Sequence, residues 1–159
     1  DFVNLSAGGK HNPNNPLKNI KNYDNSYFYN YFGNYLTTSE NDSWIEFDFG
    51  QHFKVDILSY TIRTNAEGAF QFYHSRSWKI VGSNDKINWF KLDKRKDDQN
   101  LNGALKQHHF VSKNLQYGNI INRYRYIRYI QKDSWCNGAS IPVNPFNIYL
   151  TYFEFYGDI

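Results

Sequence analysis

From Ser43 onward the chain is written in alternating apolar and polar positions. Trp44, Glu46 and Asp48 fall on one side of an extended segment and Ile45, Phe47 and Phe49 on the other, and Gly50 ends it. A period of two over six residues predicts a half-buried strand. The same texture predicts strands over 55–65, 77–83, 89–92, 106–111, 124–131 and 149–156, after a short one at 2–5. Asn84-Asp85-Lys86-Ile87-Asn88 reads as a tight hairpin connection between two of them. Residues 6–43 lack the pattern: Gly8-Gly9, Asn12-Pro13, Asn14-Asn15-Pro16 and Asn25-Ser26 are turn formers. Within that stretch Leu17, Ile20 and Tyr23 line one side of a brief helical turn. Eight strands without a long amphipathic helix predict an all-β sandwich or barrel.

Composition gives the interior of that sandwich its filling. The 159 residues include 13 Phe, 14 Tyr and 4 Trp, and two facing sheets bury large alternating side chains between them. Most of these rings are therefore expected in the core, with Trp44, Trp78 and Trp89 structural, and the chain is expected to form one domain over 1–159. The single cysteine, Cys136, excludes a disulfide scaffold and four-cysteine metal sites. There is no apolar run long enough to cross a membrane as a helix, so no membrane insertion is expected. The chain starts at Asp1 and contains no methionine, so a fragment of a longer chain with neighbouring domains is expected. The formal net charge of +3, from 18 basic and 15 acidic residues, is too small to point to nucleic acid. With one free thiol a cytoplasmic setting is favoured, and an extracellular or cell-surface one is the alternative.

Several segments resemble the F5/8 type C (discoidin) domain family. Ser43 to Gly50 is similar to its early strand, Tyr60-Thr61-Ile62-Arg63-Thr64-Asn65 to the next, and Tyr126-Ile127-Arg128 to its late one. Phe153-Glu154-Phe155-Tyr156-Gly157 is similar to the closing strand, and Ser6-Ala7 with Asn14-Asn15-Pro16-Leu17 to the opening. The most specific match is Ser77-Trp78-Lys79-Ile80-Val81-Gly82-Ser83-Asn84-Asp85, followed by Asn88-Trp89. Order and spacing agree over nearly the whole chain, and the look is closest to intracellular members in protist and BTB-linked proteins. The resemblance implies an eight-stranded jelly-roll sandwich of the galactose-binding-like class, acting as a non-catalytic binding module. It departs from secreted members in lacking the cysteines that tie their termini together, and its loops lack the apolar spikes of membrane-binding ones.

If successive strands run antiparallel, the loops at 24–43, 66–76, 96–105 and 132–148 share one end of the sandwich. The connections at 50–54, 84–88 and 112–123 share the other. Long loops on a rigid β-scaffold are the usual carriers of binding residues. The candidate ligand-binding residues are Tyr27, Tyr31, Tyr73, His74, Arg76, Asp133, Trp135 and Asn137. Rings stack on sugars or fill peptide pockets, while Asn, Asp and Arg fix hydroxyls or backbone groups. Phe28 and Phe70 read as plugs of the barrel end. The expected partner is a protein or a glycan, with a surface lectin or adhesin as the alternative.

Other chemistry finds little support. His11, His52, His74, His108 and His109 show no metal-ligand spacing, and adjacent His108 and His109 point to opposite faces of a strand. Glu46 and Asp48 share a strand face, but that spacing is common on solvated strands. Asp93, Asp97 and Asp98 sit among Lys94, Arg95 and Lys96 and read as a solvated turn. No catalytic residue, cofactor or metal is expected; a structural calcium, which requires six to eight oxygen ligands, is the one variant considered. The run Arg123-Tyr124-Arg125-Tyr126-Ile127-Arg128-Tyr129 interleaves cations and rings as single-strand binders do, but one face of it must be buried in the sandwich.

Overall fold

A computed structural model describes residues 3–8, 10–11, 14, 16–21, 28–31, 44–65, 74–113, 123–135 and 146–159. Its strands are β1 (Asn4–Ala7), β2 (Lys10–His11), β3 (Phe28–Tyr31), β4 (Trp44–Asp48) and β5 (Asp56–Thr64). They continue with β6 (His74–Ser83), β7 (Phe90–Arg95), β8 (Gln107–Val111), β9 (Tyr126–Trp135) and β10 (Ile148–Asp158). All eight expected strands are present. The stretch read as irregular adds two short ones, β2 and β3, besides the expected helical turn, a 3-10 turn at Leu17–Lys21. One sheet has the order β1-β4-β9-β6-β7 and the other β2-β3-β10-β5-β8, all neighbours antiparallel.

The inner faces follow the alternation. Ile45 and Phe47 of β4, Trp78 and Ile80 of β6, and Ile127 and Tyr129 of β9 face Tyr60 and Ile62 of β5, Phe110 of β8, and Ile148, Leu150 and Phe153 of β10. The aromatic content fills this interlayer. The Tyr60 ring stacks on Phe110 at 5.3 Å and on Phe153 at 5.9 Å, and Trp78 meets Phe110 edge-on at 5.1 Å.

A polar chain crosses this core. Trp78 Nε1 donates to Tyr60 Oη at 2.9 Å, Tyr60 Oη donates to Asp93 Oδ2 at 2.6 Å, and Arg95 Nε donates to the same oxygen at 2.8 Å. Burial and the neighbouring Asp93 carboxylate push the Tyr60 phenol far above its ordinary range. Asp93 is only 1% exposed, which corrects its reading as part of a solvated turn. Its side chain points inward from β7, where Arg95 and Tyr60 compensate the charge. Glu46 is corrected in the same way. It is 2% exposed and clasped by Lys86 Nζ at 2.7 Å and Arg128 Nε at 2.8 Å, although it lies on the outer face of β4.

The described connections separate into two ends, as the parity argument expects. At the first, Leu105 N donates to Asn65 O and Asp98 N to Arg76 O, both at 2.9 Å, tying the ends of β5, β6 and β7 to the turn before β8. At the second, Val55 and Tyr124 form an isolated bridge, and Asn84 bonds the backbone of both Arg123 and Arg125. The 84–88 connection closes on itself there. Asp85 Oδ1 accepts from the backbone N–H groups of Ile87 at 2.8 Å and Asn88 at 2.7 Å.

Candidate functional site

The first end is built where the alternation fails. Between β6 and β9, Ser75 pairs with Ser134, Ser77 with Asp133, and Trp78 with Gln131. Arg76 is thus an extra residue on β6 and Lys132 an extra residue on β9. Such bulges leave one residue unpaired and re-aim the side chains beside it. Here they turn two consecutive residues outward on each strand: Arg76 and Ser77, Lys132 and Asp133 are all half-buried, while Ser75, Trp78, Gln131 and Ser134 are buried. Beneath them Ser75 Oγ, Tyr129 Oη and Gln131 Oε1 lie within 3.0 Å of one another, a closed buried set.

The outward residues converge. Arg76 Nε donates to Asp97 Oδ1 at 2.7 Å, and its Nη1 lies 3.5 Å from Asp133 Oδ2. The Arg76 guanidinium also lies over the Trp135 ring, 4.7 Å from its centroid. Trp135 Nε1 donates to Asp98 O at 3.0 Å, so the indole is held from its edge and its face. Asp97 is fixed in turn: its backbone takes a left-handed φ of 52° and its N–H donates to Ser77 Oγ at 3.1 Å. The ion-pair partners are between about a third and a half exposed. Exposed pairs contribute only about 0–1 kcal/mol each, so this cluster is not explained by what it adds to stability. What it makes is a fixed indole rimmed by one guanidinium and two carboxylates.

Of the residues singled out from sequence, the structure brings together Arg76, Asp133 and Trp135. All three lie on strands β6 and β9, not in the loops where they were expected. Tyr31 is the last residue of β3, whose Asn30 pairs with Ile148, so its backbone stands at the same end on a strand. His74 opposes Trp135 in register but is 2% exposed, which places it under the site. Its Nδ1 accepts from Gly103 N–H at 3.2 Å, its Nε2 is buried without a partner among the described residues, and burial lowers its pKa to about 4. Tyr27, Tyr73 and Asn137 lie outside the described residues, as do Phe70 and Cys136. Sequence reasoning left out Asp97 and Asp98, which complete the cluster. Their signal was the long 96–105 connection on the same end, hidden by the basic residues before it. Among the described residues no group of three or more His, Cys, Asp or Glu side chains is placed to hold a metal ion.

No family model matches the chain, and no curated protein matches. Solved structures do. A family 89 glycoside hydrolase from Clostridium perfringens superposes with a TM-score of 0.63 at 16% identity, over 99% of this chain and 14% of that one. The module CBM32-3 from a family 31 glycoside hydrolase of the same organism gives 0.64 at 13% identity, over 99% of this chain and 92% of that one. CBM62 from Clostridium thermocellum gives 0.61 at 16% identity, over 98% and 93%. The likenesses show the fold, the galactose-binding-like β-sandwich that the resemblance to discoidin domains implied. The link to intracellular protist and BTB-linked members finds no support in them.

Proposed function

We propose that this chain is a non-catalytic glycan-binding module whose ligand sits on Trp135, against Arg76, Asp97 and Asp133. The observation that carries the reading is the immobilised indole. A ring held by a hydrogen bond at its edge and a guanidinium on one face has little rotamer entropy left to lose on binding, and as a half-buried side chain it keeps part of its apolar surface open. Sugars offer apolar ring faces with hydroxyls around them, and carboxylates and a guanidinium at the rim are the groups that bond hydroxyls. The fold neighbours support a sugar over a peptide, since two of those named are carbohydrate-binding modules matched over nearly their whole length. The chain spans 14% of the family 89 hydrolase it matches, an extent consistent with an accessory module of a larger enzyme.

A glycan array with the wild-type chain and Trp135→Ala tests this. The variant is expected to lose the positive glycans by at least tenfold in affinity, about 1.4 kcal/mol, with near-ultraviolet circular dichroism unchanged apart from the missing indole. Unchanged binding by Trp135→Ala would refute the site.

A further inference from the structure

The outer face of the sheet that holds β6, β7 and β9 is a shallow trough of about 790 Å³. Lys79 of β6, Lys91 and Lys94 of β7, Lys96 just beyond β7 and Lys132 of β9 line it. Among the described residues Asp133 is the only carboxylate in the lining, and Arg76 stands 3.5 Å from it. A chain with a net charge of only +3 has thus gathered five of its 12 lysines on one face. Lys79 and Lys94 are direct cross-strand partners. Like charges in that relation repel, and an anionic ligand lying across both strands lowers that repulsion. Strand geometry spaces side chains on one face by about 5 Å across strands and about 7 Å along them. The bulge at Lys132 turns that residue and Asp133 outward together and extends the cationic field to the Trp135 end.

We propose that this face binds a linear acidic polysaccharide, a polymer carrying one carboxylate per sugar. Repeated ammonium groups on flexible stems suit a repeated point charge, whereas a single bidentate anion would be met by arginine. The rings on the same face argue against a nucleic acid. The Arg128 guanidinium lies 4.1 Å from the Trp44 centroid and 4.2 Å from that of Trp89, and Lys86 and Arg125 both lie over Tyr126. Among the described residues the trough's lining holds two indoles, Trp89 and the buried Trp78, so it offers no succession of open rings on which bases would stack. The choice of a sugar polymer rests on the glycan reading above, but the lysines that carry it are not residues of the Trp135 site, with which the trough shares Asp133.

Affinity electrophoresis in polygalacturonate, with neutral galactan and an oligo-dT competitor alongside, tests the proposal on four proteins. These are the wild type, Trp135→Ala, Lys79→Gln/Lys94→Gln/Lys132→Gln and Lys91→Gln/Lys96→Gln. The wild type is expected to be retarded by polygalacturonate at about 50 mM salt and released at about 500 mM, where screening shortens the reach of each charge to a few ångströms. The triple variant is expected to bind at least tenfold more weakly and Trp135→Ala within about twofold of wild type. If the triple variant loses its near-ultraviolet signal, the exposed pair Lys91 and Lys96 carries the same test with a smaller loss. Absence of retardation, or retardation lost with Trp135→Ala and kept in the lysine variants, overturns the proposal. So does tighter binding of oligo-dT with the same lysine dependence. A neutral glycan bound through Trp135 in any of these cases leaves the first site standing.

Discussion

Asp93 and Glu46 are the residues whose positions sequence hides. Both stand beside lysines or arginines in the chain or on a polar strand face, which is how a solvated carboxylate looks. Apart from Arg95, two residues on from Asp93, the partners are remote: Tyr60 lies 33 residues from Asp93, and Arg128 lies 82 from Glu46. Burial of a carboxylate depends on what another strand brings across, and alternation within its own strand carries no trace of that. Asp93 also bonds the Lys113 N–H at 3.4 Å, and Arg95 reaches Val111 O, so one buried charge ties β7 to the end of β8. Asp93→Ala removes the acceptor from under Tyr60 and Arg95 and leaves a buried cation uncompensated. It is expected to destabilise the fold by about 3–5 kcal/mol, read as a lowered urea midpoint at unchanged slope. Tyr60→Phe strands the Trp78 N–H and is expected to lose about 1–3 kcal/mol in the same measurement.

The strands that sequence located best are those whose period is unbroken. β4 was placed to within a residue, and its inner residues Ile45 and Phe47 are core. β6 and β9 were cut short at the end where Arg76, Asp133 and Trp135 stand, because the paired bulges put two polar residues in succession and the pattern there looks like loop. The same bulges make the candidate site, so the break in period was the most informative feature of those segments. β2 and β3 were missed for another reason: two and four residues between turn formers give too short a window for a period to appear. Gly82 in β6 shows an element constrained from outside. A Cβ there would come within 2.5 Å of the Tyr124 ring, whose backbone is pinned by the bridge to Val55. Gly82→Ala is expected to destabilise by about 1–3 kcal/mol through overpacking, and Gly82→Ala/Tyr124→Ala to recover part of its own Tyr124→Ala background, measured as a double-mutant cycle.

Across the whole molecule the two ends respond differently to acid. At the site end, His74 is held neutral by burial, with a pKa lowered from 6.5 to about 4. Between those values the unfolded chain binds the proton and the folded one does not, so stability is full above pH 6.5 and is lost as pH falls towards 4. At the opposite end Arg125 holds the Asp48 carboxyl below its ordinary 3.8 through bonds of 2.8 and 3.0 Å, with the Gly50 N–H adding a third. That contribution is intact above pH 3.8 and fails only below it. Acid should therefore open the fold in order, the Trp135 end before the turn end. Urea midpoints at pH 7 and pH 5 are expected to show the wild type about 2 kcal/mol weaker at the lower pH. In His74→Asn, whose side-chain oxygen can still accept from the Gly103 N–H, that difference should shrink to a few tenths of a kcal/mol. An equal loss in the variant would place the acid-sensitive group elsewhere. Because His74 opposes Trp135 in register, a bound glycan that stabilises this end is expected to raise the pH 5 midpoint of the wild type, in proportion to its occupancy.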